Sequence, residues 1–131
     1  MAQRFVNQII AVDFDGTCVE HEYPFIGVEV SGCLFTLDAL VKAGHNIVLY
    51  TMRSDEHLQE AVDWFTERRI PLWGINSNPQ QFVWTNSPKV YAHIYIDDAA
   101  LGCPTIKKVG SGPVVDWAKV HEELQRREII S

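Results

Sequence analysis

Four short apolar runs punctuate the chain, and stretches of helical period separate most of them. Gln8 to Phe14 reads as a buried strand, Asn46 to Tyr50 as a second, Pro71 to Ile75 as a shorter third and Val90 to Ile96 as a fourth. Leu34, Leu37, Leu40 and Val41 recur at helical spacing, which predicts a helix over Val30 to Ala43 with Gly44 as its C-terminal stop. A second helix is expected after Ser54, which can cap it, with Leu58, Ala61, Val62 and Phe65 on its apolar face. Glu56 near its start and Arg68 near its end match the helix dipole. Asp116 to Arg127 predicts an amphipathic closing helix, and Thr105 to Val109 a short strand. Strands alternating with helices predict an α/β fold: a parallel sheet covered by helices on both faces, with residues 1–131 forming one domain.

In such a sheet, ligands bind at the carboxyl ends of the strands, so the polar residues there carry the functional reading. The first strand runs into Asp13-Phe14-Asp15-Gly16-Thr17. Alternate residues of a strand share a face, which would place Asp13 and Asp15 together. Two anions that close repel, and one pKa rises unless a cation sits between them; a hard divalent ion with oxygen ligands, Mg2+ above all, is the natural partner. Gly16 permits a sharp turn, and Thr17 brings a hydroxyl beside the carboxylates. The second strand ends in Thr51, followed by Met52 and Arg53. The fourth ends in Asp97-Asp98, with Lys89 just ahead of it. Phosphoryl transfer through an aspartyl-phosphate needs this set. A carboxylate attacks phosphorus, and a metal held by Asp13 and Asp97 offsets the charge of phosphate and nucleophile. Lys89 and the Thr51 hydroxyl hold phosphate oxygens, and Asp15 acts as acid and then base.

With these residues in place, the sequence resembles the Mg2+-dependent phosphatase branch of the haloacid dehalogenase superfamily. Asp13 to Thr17 fits its first motif, Leu49-Tyr50-Thr51 its second, Lys89 its third and Tyr95-Ile96-Asp97-Asp98 its acidic fourth. The interval from Lys89 to Asp97 is short, as in small phage and bacterial members with a Lys-x-x-Ala-x-x-Tyr-Ile-Asp-Asp run. The resemblance implies a three-layer Rossmann-like fold, with Asp13 as nucleophile and Asp15 as acid/base. It implies a Mg2+ site from Asp13, the Asp15 backbone carbonyl and Asp97, where Asp98 orients Asp97 or acts through water. Both positions at which the superfamily inserts cap domains are nearly empty: Cys18 to Glu29 has room for a flap hairpin only, and Asn76 to Pro88 reads as a loop. No cap domain is expected. Glu20-His21-Glu22 reads as a solvated part of the flap, Phe82 and Trp84 as tucked onto the core, and Arg53 either as a substrate contact or as a surface residue at a helix start.

Composition narrows the partners. A net charge of −6 argues against an electrostatic grip on nucleic acid or an anionic membrane. It does not exclude an anionic substrate, because a bound metal and a few cations can dominate one cleft. The expected substrate is a phosphorylated small molecule. An open site leaves selectivity to a bulky substrate or to a second copy, and a homo-oligomer is the favoured version. Three scattered cysteines, Cys18, Cys33 and Cys103, no membrane-length apolar run and no signal-peptide pattern suit a cytoplasmic protein; Cys18 reads as a packing residue. The order of acidic residues differs from that of a phospho-accepting receiver domain, and no P-loop run exists. The alternatives are a catalytically silent binding module on the same fold, a phosphotransferase, and a phosphatase of nucleic-acid ends.

Overall fold

A computed structural model describes residues 6–107, 110 and 112–131. Its centre is β1 (Ile9–Val12), whose four residues are all buried. On one side β1 pairs in parallel with β2 (Asn46–Leu49), Ile9 opposite Asn46 and Val12 opposite Leu49. On the other it pairs in parallel with β4 (Ile94–Ile96), Ile10 opposite Ile94. β3 (Gly74–Ile75) extends the sheet beyond β2, giving the order β3-β2-β1-β4. β5 (Thr105–Ile106) and β6 (Val114–Val115) form a separate antiparallel pair. Val109, the expected end of β5, lies outside the described residues.

The sheet is the middle of three layers, consistent with a Rossmann-like α/β fold, but the α-helices pack on one face and not on both as the strand–helix alternation predicts. Ile10, Val12, Phe14, Ile47, Leu49 and Ile96 share one face by strand alternation. They join a single core with the buried sides of α1 (Cys33–Lys42), α2 (Asp55–Glu67) and α3 (Trp117–Arg126). The opposite face carries a smaller cluster of Ile9, Val48 and Val90, with Tyr50, Trp73 and Ala92 packed against it. There the covering layer is the segment 76–93, whose only helix among the described residues is the single 3-10 turn Gln81–Val83. That segment also explains why β4 is shorter than Val90 to Ile96. The Val90 carbonyl accepts from the Tyr95 hydroxyl, and the Tyr91 N–H donates to Gln81 Oε1. These backbone groups are satisfied by side chains and leave the ladder.

Other boundaries have equally local causes. α1 begins at Cys33 because Gly32 takes a left-handed conformation (φ 85°) and Val30 is held in the flap by its N–H bond to Cys18 O. Gly44 does end the helix, with φ 92° and its N–H on Val41 O. Ser54 is the N-cap residue of α2 but its side chain makes no capping bond; Asp55 and Glu56 in the first turn complement the dipole. Arg68 closes that helix, stacked on Trp64 with its guanidinium 4.2 Å from the ring centre. β3 shrinks to two residues at the end of a run opened by Pro71, which has no N–H to donate. Cys18, Cys33 and Cys103 are free thiols, the first two buried, and burial pushes the Cys18 thiol well above its usual range. Among the described residues no helix is long and apolar enough to cross a membrane.

The turn after β1 is braced from behind. Val115 N–H donates to Gly16 O, and the indole N–H of buried Trp117 donates to Thr17 O at 2.7 Å. Trp117→Phe keeps an aromatic ring there but leaves the Thr17 carbonyl without this donor. The expected loss is about 1–3 kcal/mol of unfolding free energy in urea denaturation; a change indistinguishable from zero would show that the bond does not brace the turn.

Candidate functional site

Parallel pairing carries the ends of β1, β2, β3 and β4 to one edge, and the ladder continues past the formal strand ends. Asp13 N–H donates to Ile96 O, Tyr50 N–H to Val12 O, and Asn76 N–H to Leu49 O. Asp13, Thr51, Asn76 and Asp97 therefore stand at neighbouring strand ends. A carboxylate oxygen from each of Asp13, Asp97 and Asp98 lies within 4.8 Å of the others. Thr17, fully buried, donates its hydroxyl to Asp13 Oδ2 at 2.9 Å and accepts from Asp98 N–H at 3.2 Å.

Three carboxylates this close cannot all be ionised cheaply. Burial, the carboxyl of Asp98 and the charge of Asp97 push Asp13 up from 3.8 to about 8, against the Thr17 hydroxyl, which pulls it down. The donors are all hard oxygens, a set that fits a divalent ion such as Mg2+. Asp98 stands in the cluster beside Asp97, whereas the side chain of Asp15, which strand alternation would place beside Asp13, is turned to Arg53 instead.

Both Asp15 oxygens accept from Arg53, Oδ2 from Nε and Oδ1 from Nη2, each at 2.8 Å. Arg53 is neither a surface residue nor free for substrate. It is 2% exposed, and its guanidinium also donates to the carbonyls of Pro24, Phe25 and His57. The rings of Phe14 and Tyr23 flank it at 5.2 and 5.1 Å. Asp15 holds the Arg53 guanidinium above its ordinary range. One side chain thus ties the first motif to α2 and to the flap, in which Glu20 N–H bonds Val28 O and Val30 N–H bonds Cys18 O.

Thr51 stands at the edge as expected. Its hydroxyl oxygen accepts from Arg53 N–H at 3.2 Å, which leaves the hydroxyl hydrogen to donate. Lys89 is exposed, its amine 6.0 Å from the centre of the Tyr95 ring. Tyr95 precedes Asp97 by two residues and so shares its face by strand alternation.

Sequence reasoning passed over two residues. His21, exposed as expected of the flap, also reaches back towards the cluster, its Nε2 3.0 Å from Asp98 Oδ2. Gly16 (φ 84°) makes room for it: a Cβ there would sit 2.1 Å from that nitrogen and 2.7 Å from Asp98 Oδ2. Asn76 accepts Thr51 N–H at Oδ1, 2.8 Å away. Its place at a strand end was a legible signal; the approach of His21 across 77 residues was not. Phe82 and Trp84, expected on the core, are 67% and 62% exposed.

A solved structure, that of a conserved protein coded by a locus of Bacteroides thetaiotaomicron, has the same architecture. It shares 33% of its residues with this chain over 93% of each and superposes with a TM-score of 0.75. The chain belongs to one family with that protein. No family model matches the sequence, and no curated protein does.

Two predictions follow from the carboxylates. A raised acid pKa destabilises the fold once the unfolded chain has ionised and the folded one has not. Stability in the absence of divalent ions is therefore expected to fall as pH rises from about 4 to about 8. Mg2+ is expected to raise the melting temperature more at pH 8 than at pH 5, because it competes with protons for the same oxygens. Asp13→Asn should flatten both responses in thermal melts, and an unchanged slope in that variant would rule out Asp13 as their source. Second, Arg53→Met strands Asp15 beside an apolar side chain. The expected loss is about 3–5 kcal/mol in urea unfolding, partly restored in the Arg53→Met, Asp15→Asn double variant. A loss below about 1 kcal/mol would mark the pair as no stronger than an exposed one.

Proposed function

We propose that this protein is a Mg2+-dependent phosphomonoester hydrolase of the capless haloacid dehalogenase type, acting on phosphorylated small molecules. The observation that supports it most is the meeting of Asp13, Asp97 and Asp98 at one strand-end edge, which Thr51 shares. Asp13, Asp97 and Asp98 would hold the ion. When bound, it supplies the positive charge that keeps Asp13 ionised and offsets the phosphate.

The protein's own groups carry the steps. A carboxylate oxygen of Asp13 attacks phosphorus; the bond to the leaving oxygen breaks, and that oxygen takes a proton from Asp15. The hydroxyl of Thr51 and the amine of Lys89 hold the phosphoryl oxygens as charge moves among them. Asp15, now a carboxylate, takes a proton from water, which attacks phosphorus and releases inorganic phosphate from Asp13. The Arg53 clamp adds a condition. With both its oxygens accepting from a guanidinium, Asp15 can deliver or take a proton only by giving up at least one of those bonds. The same clamp favours a second reading, a module that keeps the fold and binds phosphate esters without turning them over.

Turnover of phosphate monoesters in the presence of Mg2+ separates the two. Hydrolysis by the wild type, none by Asp13→Asn and a rate about 10²–10⁴-fold lower in Asp15→Asn are expected. Beryllium fluoride should be trapped at Asp13. Wild-type activity in Asp13→Asn would end the mechanism; binding without turnover in the unaltered protein would leave the second reading.

A further inference from the structure

β4 ends the sheet order, so no strand of the sheet lies along its outer edge. A groove of about 420 Å³ opens there, and His93, Ile94, Tyr95 and Ile96 line it in unbroken succession. Successive residues of a strand point to opposite faces, so four consecutive ones can line one hollow only where it runs along the strand's edge. The rest of the lining comes from α3 with its C-cap Arg127 and from the loop 100–104.

An open edge presents backbone N–H and C=O groups that pair readily with another strand, and folded proteins commonly guard it with charge or proline. Ile94-Tyr95-Ile96 carries neither. Three residues make a short ladder, so a partner needs further contact, and the groove offers it. Leu101, which lines the groove, is wholly exposed, at 107%. A lone exposed leucine means little. One that stands beside a hollow lined by Ile94, Ile96 and Leu124 is a projecting apolar group next to its own chemical complement.

Charge selects the occupant. Glu123 and Arg127 both line the groove, one turn apart on the same helix face, with Arg127 Nε donating to Glu123 Oε1 at 3.0 Å. An acidic peptide would meet Glu123, and a basic one Arg127. A second copy of the chain suits both. A two-fold axis at the β4 edge turns α3 antiparallel to its mate, so Glu123 of one copy faces Arg127 of the other. The same axis sets the two β4 edges antiparallel and brings each Leu101 to the other copy's groove.

We propose that the β4 edge and its groove form a homodimer interface. Two sheets join antiparallel at β4, each Leu101 is buried in the opposite groove, and Glu123 and Arg127 pair across the axis.

Sedimentation velocity over a dilution series at about 0.15 M salt tests this. The wild type is expected to sediment as a dimer. Leu101→Asp alters a side chain that touches little in one copy, so its circular dichroism should stay unchanged while its dimer dissociation constant rises about tenfold or more. Glu123→Arg leaves two cations on the α3 wall, and Arg127→Glu leaves two anions. Each alone is expected to dissociate, whereas an equimolar mixture of the two should form a dimer again. Cys103 lines the groove while Cys18 and Cys33 are fully buried, so thiol labelling reads the interface directly: Cys103 should react more slowly in the wild type than in Leu101→Asp. A wild type that stays monomeric up to about 1 mM overturns the proposal, whatever else the groove binds. A dimer that all three variants leave intact overturns it too, because it uses another surface. Failure of the mixture to pair removes the two-fold arrangement, and growth beyond two copies does the same, since a two-fold contact closes on itself.

Discussion

Carboxylates repel, and this fold brings three of them within 4.8 Å at the end of its central strand. Much of the surrounding structure holds that arrangement in place. The parallel ladder delivers Asp13 and Asp97 to adjacent strand ends because β1 and β4 pair directly. Thr17 sits between Asp13 and Asp98, giving its hydrogen to one and taking the N–H of the other. Behind it, Trp117 and Val115 hold the carbonyls of Thr17 and Gly16, so the start of α3 fixes a turn about 100 residues away in sequence. A cluster packed this firmly cannot relax by spreading apart. It must carry a proton or a cation, and the raised position of Asp13 is the sign of that choice.

The second acidic residue of the motif meets the opposite fate. Asp15 has its counter-charge built in, since Arg53 occupies both of its oxygens. The two carboxylates, separated by one residue, are thereby made chemically unlike: one is short of positive charge and the other is saturated with it. Because Arg53 also holds the flap carbonyls of Pro24 and Phe25, the state of Asp15 and the seating of the flap are mechanically linked. Displacement of either bears on the other through one guanidinium.

Most of the layer order was legible because it rests on pattern. Continuous apolar runs locate β1 and β2, apolar residues at helical spacing locate α1, α2 and α3, and strand-end polarity locates Asp13, Thr51 and Asp97. The failures are long-range. Val90 to Tyr91 has the composition of a strand, yet Gln81 and Tyr95 take its backbone groups, and no local pattern announces such a competition. Arg53 reads as a substrate contact or a helix-start surface residue because its partners lie 28 and 38 positions away. His21 and Asp98, 77 residues apart, meet over Gly16 for the same reason. Sequence spacing reports which residues share an element; it is nearly silent on which loop side chain crosses to another loop.

The face of the sheet opposite the α-helices shows how a layer can be rigid without being regular. A full helix would satisfy its own backbone; the 76–93 segment has one turn of 3-10 helix and instead uses side chains. Gln81 and Asn78 between them bond three backbone carbonyls and two backbone N–H groups. Among the described residues no buried side-chain polar atom is left without a partner. This solution has a consequence that a helix would not. A helix turns its polar backbone inward on itself, whereas a segment pinned by two buried amides can leave a hollow between its pinned points, next to the strand ends. Replacing the helix by a side-chain-pinned loop therefore changes more than the shape of one layer: it sets a neutral, preformed surface beside an edge whose own charge is almost wholly negative.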